Sequence, residues 1–186
     1  GLKQLIENNG QLSAAGRVAI TAQASSGLFD RAINNTGIVK ATGFNHQPGN
    51  VYIEGQQVIH SGVIDVSSDA GLGGQIDVLG DQVGIIDKAV VNASGQQGGG
   101  VIHLGGSYQG LDENIRNAKA TYIGKDVKIS ARAGMTGDGG AVVVWADETT
   151  RFYGNIESTG GEVGGNGGRV EVSGKESLLF NGSVDL

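Results

Sequence analysis

Side chains able to take part in proton transfer recur at one position of a repeated motif. The motif G-x-(V/I)-x-(V/I/L)-x-(G/A) occurs six times, as GRVAITA from Gly16, GNVYIEG from Gly49, GQIDVLG from Gly74, GVIHLGG from Gly100, GAVVVWA from Gly140 and GRVEVSG from Gly168. Its middle residue runs Ala19, Tyr52, Asp77, His103, Val143, Glu171. If equivalent residues stack on successive turns about 5 Å apart, Tyr52, Asp77 and His103 are neighbours, and Asp77 can orient the His103 imidazole for acid or base work. No second carboxylate sits beside Asp77 in that column to complete the pair a glycosidase needs. A merely polar outer surface is therefore the favoured reading.

Other candidate chemistry is weaker. GDGG around Asp138 and GGNGG from Gly164 echo calcium-binding β-rolls, but those repeat every nine residues, and too few oxygen ligands accompany Asp138. His46 and His60 lie near Pro48 without the spacing of a metal site and are expected at the surface. The serines lack a nucleophile-elbow context, and Gly-rich strings mean little for nucleotides in a chain holding 35 Gly. With no Cys there is no disulfide, thiolate metal site or thiol nucleophile. No catalytic residue, metal ion or cofactor is expected.

What positions these residues is a repeat. A second motif, aliphatic-x-small, begins at Leu12, Val39, Ile64, Val91, Ile129, Ile156 and Val184, at intervals of 27, 25, 27, 38, 27 and 28 residues. A third apolar patch follows the first motif at Val58-Ile59, Val83 to Ile86, Phe152-Tyr153 and Leu178 to Phe180. Three short period-2 strands per turn of about 27 residues, stacked so that each pairs with its counterpart above and below, predict an all-β, right-handed parallel β-helix. In the first motif the inward columns are Val18, Val51, Ile76, Ile102, Val142, Val170 and Ile20, Ile53, Val78, Leu104, Val144, Val172, all aliphatic. The small residues of the second motif mark a narrow bend, and Gly serves the corners through positive φ or close approach.

The long interval holds an insertion at about 106–122, GSYQGLDENIRNAKATY, within a single 1–186 segment. A faithful repeat that departs once marks a place where something besides stacking is selected, although a surface loop folding over the coil through Leu111 and Ile115 would look the same. Tyr108 and Gln109 in it, with Trp145 expected outward and exposed beside it, are the candidate ligand contacts, since a sugar face favours an exposed ring. The charge is −6 with basic residues scattered, which disfavours nucleic acid, and no apolar run spans a bilayer.

WADETTRFYGNI from Trp145 to Ile156 and GGNGGRVEVSGKESLLF from Gly164 to Phe180, together with GGSYQG at Gly105 to Gly110 and NNTGIVKATG at Asn34 to Gly43, resemble filamentous-haemagglutinin-like proteins. These are large bacterial exoproteins of two-partner secretion. The resemblance covers most of the chain and implies an extracellular β-helix, exported through an outer-membrane β-barrel transporter and adhering to host cells, other bacteria or matrix polysaccharide. The partner would be a glycan or protein receptor. A strand broken at Leu186 and a strand tail at Gly1 to Glu7 read as an interior piece of a longer shaft. A polysaccharide lyase or glycosidase on the same fold is the alternative, and a carbohydrate-recognition segment is another.

Overall fold

The structure, a computed structural model, describes residues 6–22, 32–44 and 47–186. Their strands form three wholly parallel sheets, one for each sequence motif, so a turn of chain contributes one strand to each. The first-motif sheet has six strands, from Arg17–Thr21 to Arg169–Gly174. The second-motif sheet has seven, from Gln11–Ala15 to Ser183–Asp185, and the third has seven, from Ile6–Asn8 to Ser177–Phe180.

Register follows the stacking of like on like. Val51 pairs with Ile76, Ile76 with Ile102, Ile102 with Val142, and Val142 with Val170. These side chains fill one continuous core with the second column of the motif, the inner turns being fully buried and the outermost Val18, Val170 and Val172 partly so. β-Branched side chains suit this pleated interior, and the small column Ala41, Ala93, Ala131 lets two sheets meet at the bend. Glycine at the following corner is required by closeness: a Cβ on Gly99 would overlap the carbonyl oxygen of Ala131 one turn on. Corner glycines such as this one have no positive φ, so close approach and not left-handed backbone explains them.

Two expectations change. Ala120 to Tyr122 fall within the insertion expected on sequence, yet Ala120–Ile123 is the third-sheet strand of its turn, paired to Gln82–Ile85 and Thr149–Phe152. The irregular stretch is therefore shorter, ending at Lys119. The polar inward residue Thr121 hid this strand; it is buried because its hydroxyl donates to the Trp145 carbonyl at 2.7 Å.

His60 is the second correction. It is fully buried, inward in the third sheet, whose inner column runs Asn8, Asn35, His60, Ile85, Ile123, Phe152. Asn8 Nδ2 donates to Asn35 Oδ1 at 2.7 Å, and Asn35 Nδ2 lies 2.9 Å from His60 Nδ1, so a polar ladder runs up the core until aliphatic residues replace it. Each buried amide is satisfied by its neighbour one turn away, which makes the burial tolerable. His46 lies outside the described residues.

Candidate functional site

The outer face of the first-motif sheet carries the column expected from sequence. Tyr52, Asp77 and His103 occupy consecutive registers. Asp77 Oδ1 lies 2.7 Å from His103 Nδ1, and Gln75 Nε2 donates to Asp77 Oδ2 at 2.8 Å. Although it points away from the core, Asp77 is only 5 % exposed. The Tyr52 hydroxyl donates to Glu54, and the Arg17 guanidinium lies 5.6 Å from the Tyr52 ring centre. Burial, then the Glu54 carboxylate, pushes the Tyr52 phenol up to about 12, so it stays protonated.

Residues 105–119 leave this sheet and fold back over it. Gly105 turns the chain at φ +83, and the peptide returns when Ala118 N donates to the Gly105 carbonyl at 2.6 Å. A short 3-10 turn, Tyr108–Gly110, forms the crest. Beneath it lies Trp145, which is 7 % exposed. The ring is packed so closely that a Cβ on Gly106 would come within 2.7 Å of it, and one on Gly110 within 2.8 Å. Trp145 Nε1 donates to Asp147 Oδ1 at 3.0 Å, and Asn117 Nδ2 bonds both the Gly110 carbonyl and Asp147. Trp145 is thus outward, as expected, but it is not an exposed contact residue: it is the apolar floor on which the loop sits. Val143 is buried although its register points outward.

Polar contacts tie the loop at both ends of this seat. Gln109 N donates to Glu171 Oε2 at 2.8 Å, Arg116 bonds Asp81 and lies 3.7 Å from Glu54, and Lys119 N donates to the Asp81 carbonyl at 2.8 Å. Asp112 accepts from the amide and side chain of Asn114, which lower its carboxyl below the ordinary range. Leu111 is 72 % exposed and contributes little to the docking, whereas Ile115 is half-buried. Tyr108 remains 48 % exposed, its ring 5.9 Å from the Arg169 guanidinium, and Gln109 is exposed beside it.

The loop therefore joins Tyr108 with Gln109 at its crest and separates both from Trp145 below. Among the described residues no group of three or more His, Asp or Glu is placed to hold a metal ion. No helix of the described residues is long and apolar enough to cross a membrane.

A different face shows relief that the sequence reading passed over. Along the outer side of the second-motif sheet, two adjoining troughs of about 510 Å³ and 740 Å³ share Ser67, Ser68 and Asp69. One wall is the sheet and the other the stacked Gly-rich corners, linked by bridges of Ser68 to Gly95 and Gly95 to Ala133. The signal was present: Lys40, Asp65, Asn92, Ser130 and Glu157 recur at the repeat interval between the inward residues of the second motif.

No family model matches the chain, and no curated protein matches it. Among solved structures it is similar to the HMW1 secretion domain from Haemophilus influenzae, at 25 % identity and a TM-score of 0.72, over 96 % of this chain and 47 % of that one. The chain thus spans about half the length of that domain. A likeness to a bacterial secretion domain agrees with the resemblance to filamentous-haemagglutinin-like exoproteins that the sequence carries.

Proposed function

We propose that this chain is a β-solenoid segment of a secreted bacterial surface adhesin, serving as shaft and contact surface in attachment to host cells or biofilm matrix. The observation that supports it most is the match to a secretion domain over 96 % of the chain, joined to a coil in which each strand bonds only to the turns above and below. Such a coil extends by repetition and leaves outer surface for contacts wherever the loop does not cover it. An outer-membrane β-barrel transporter is the export partner this reading requires. Tyr108 and Gln109, exposed on the loop crest, belong to the proposed contact surface, with Trp145 as their support.

Catalysis on a polysaccharide is the competing reading, and the 2.7 Å Asp77–His103 contact is the one feature that favours it. That pair lies outside both troughs, on the outer face of the first-motif sheet, and no second carboxylate of that column stands beside it.

The test is competition. Purified protein, added in increasing amounts, is expected to reduce attachment of the bacterium that expresses it to epithelial cells or to preformed biofilm. Attachment unchanged at saturating protein, on both surfaces, overturns the adhesive role.

A further inference from the structure

The trough along the second-motif sheet has the composition of a polymer-binding surface. Its floor is polar and repeats with the coil: Asn92, Ser130 and Glu157 stand in one column, one per turn, at the spacing of parallel strands of about 4.8 Å. The floor is pre-organised by its own bonds. Ser94 Oγ and Ser130 Oγ are 2.7 Å apart and Arg132 lies 3.7 Å from Glu157, while behind the lining Asp65 holds Lys40 Nζ at 3.1 Å and accepts from Ser67 Oγ at 2.6 Å. Burial pushes the Asp65 carboxyl up, but the Ser67 and Lys40 bonds outweigh it and hold the group below its ordinary range.

Charge narrows the ligand. The whole chain carries −6, yet in the 510 Å³ trough two cations, Lys128 and Arg132, meet two anions, Asp69 and Glu157. A polyanion finds no net attraction there, and a polycation finds none either. Asn92 and Ser130 each offer both a donor and an acceptor and Glu157 acceptors, and no aromatic side chain lines either trough, so a sugar here is held through its hydroxyl groups and not by stacking on a ring. An apolar peptide would meet no pocket for its side chains. An extended, uncharged chain of hydroxyl groups meets a donor or acceptor at each turn, and one hexose advances about as far as one turn of this coil.

We propose that this trough binds a neutral linear glycan lengthwise, through hydrogen bonds repeated from turn to turn. The inference deepens the attachment reading by naming its ligand class, but the binding can be measured without it. Each contact is weak because it replaces water, so affinity accumulates with the number of turns engaged.

The experiment uses the whole chain, isotope-labelled, titrated with neutral gluco-, xylo- and chito-oligosaccharides of three and six sugars and with oligogalacturonate as the anionic probe. Amide shift changes are expected at residues 92–96 and 128–134 for at least one neutral series, with the hexamer binding at least tenfold tighter than the trimer. Ser130→Tyr, which fills the trough from an outward position, and the exposed double change Lys128→Ala with Arg132→Ala are each expected to weaken binding at least tenfold. Lys175→Ala, an exposed change between the first- and third-motif strands and outside both troughs, is expected to leave it unchanged. The proposal is overturned if no neutral series shifts those amides at millimolar concentration, if only oligogalacturonate binds, if trimer and hexamer bind alike, or if binding survives both trough variants. Glycan binding without inhibition of attachment would sink the adhesive role and keep the trough; inhibition without glycan binding would do the reverse.

Discussion

Acidification should weaken the coil through His60. Its imidazole is buried in the core at the top of the Asn8–Asn35–His60 ladder, with Nε2 lacking a hydrogen-bond partner among the described residues. Burial lowers its pKa from 6.5 to about 4, an effect that nearby backbone groups of Val90, Asn35 and Gly62 only partly offset. The folded state therefore prefers the neutral ring. As pH falls below about 6.5 the unfolded chain takes up the proton first, so stability is complete above that pH, declines between about 6.5 and 4, and levels off below. At about 1.4 kcal/mol per pH unit the loss reaches about 3 kcal/mol. Urea unfolding of the wild type and of His60→Asn at pH 7, 5.5 and 4 measures it. Asp65 also loses its depressed-pKa contribution in acid, but it does so in both proteins and cancels in the difference. The wild type is expected to lose about 3 kcal/mol more than the variant between pH 7 and 4, and the His60 ring to titrate by NMR near pH 4. Parallel pH profiles, or a His60 midpoint near 6.5, would show that the ring is not held neutral in the core.

Ile76→Ala removes a fully buried side chain from the middle of the coil and is expected to cost about 2 to 5 kcal/mol in denaturant titration, whereas Tyr52→Ala on the outer face should cost about 1 kcal/mol; equal losses would contradict the register. Gly110→Ala puts a methyl against the Trp145 ring at a backbone φ of +65, so a loss of about 1 to 3 kcal/mol is expected, with red-shifted emission from the single Trp and faster amide exchange across 106–118. Unchanged emission would mean the loop does not depend on that seat. The purified protein is expected to release no new reducing ends or unsaturated products from neutral or acidic polysaccharides; turnover abolished by Asp77→Asn or His103→Ala would replace the adhesive reading with an enzymatic one.

The coil was legible because its signal is redundant. Aliphatic pairs at 27-residue intervals each report the same inward direction, and a strand that pairs with its own repeat needs no further information to find its register. The third sheet was read less completely, since Ala120–Ile123 turns Thr121 inward and Ala32–Asn35 turns Asn35 inward, where an apolar pattern was sought. The ladder could have been found by asking which polar residues share the repeat interval, as Asn8, Asn35 and His60 do.

Period-2 alternation determines which way a side chain points, and for this protein it determined the fold, the core columns and the stack of Tyr52, Asp77 and His103. It does not determine what comes to lie over an outward side chain. Trp145 points outward and is buried, because residues 105–119 from the turn before return across it, and the solvent it would face is displaced by a segment some 30 residues distant in sequence. His60 points inward and is polar, a placement made stable by Asn35 one turn away. The troughs likewise exist only where Gly-rich corners of successive turns stack into a wall beside the second-motif sheet. Direction is a local property of the strand, whereas exposure, pairing and concavity belong to surfaces that several turns make together.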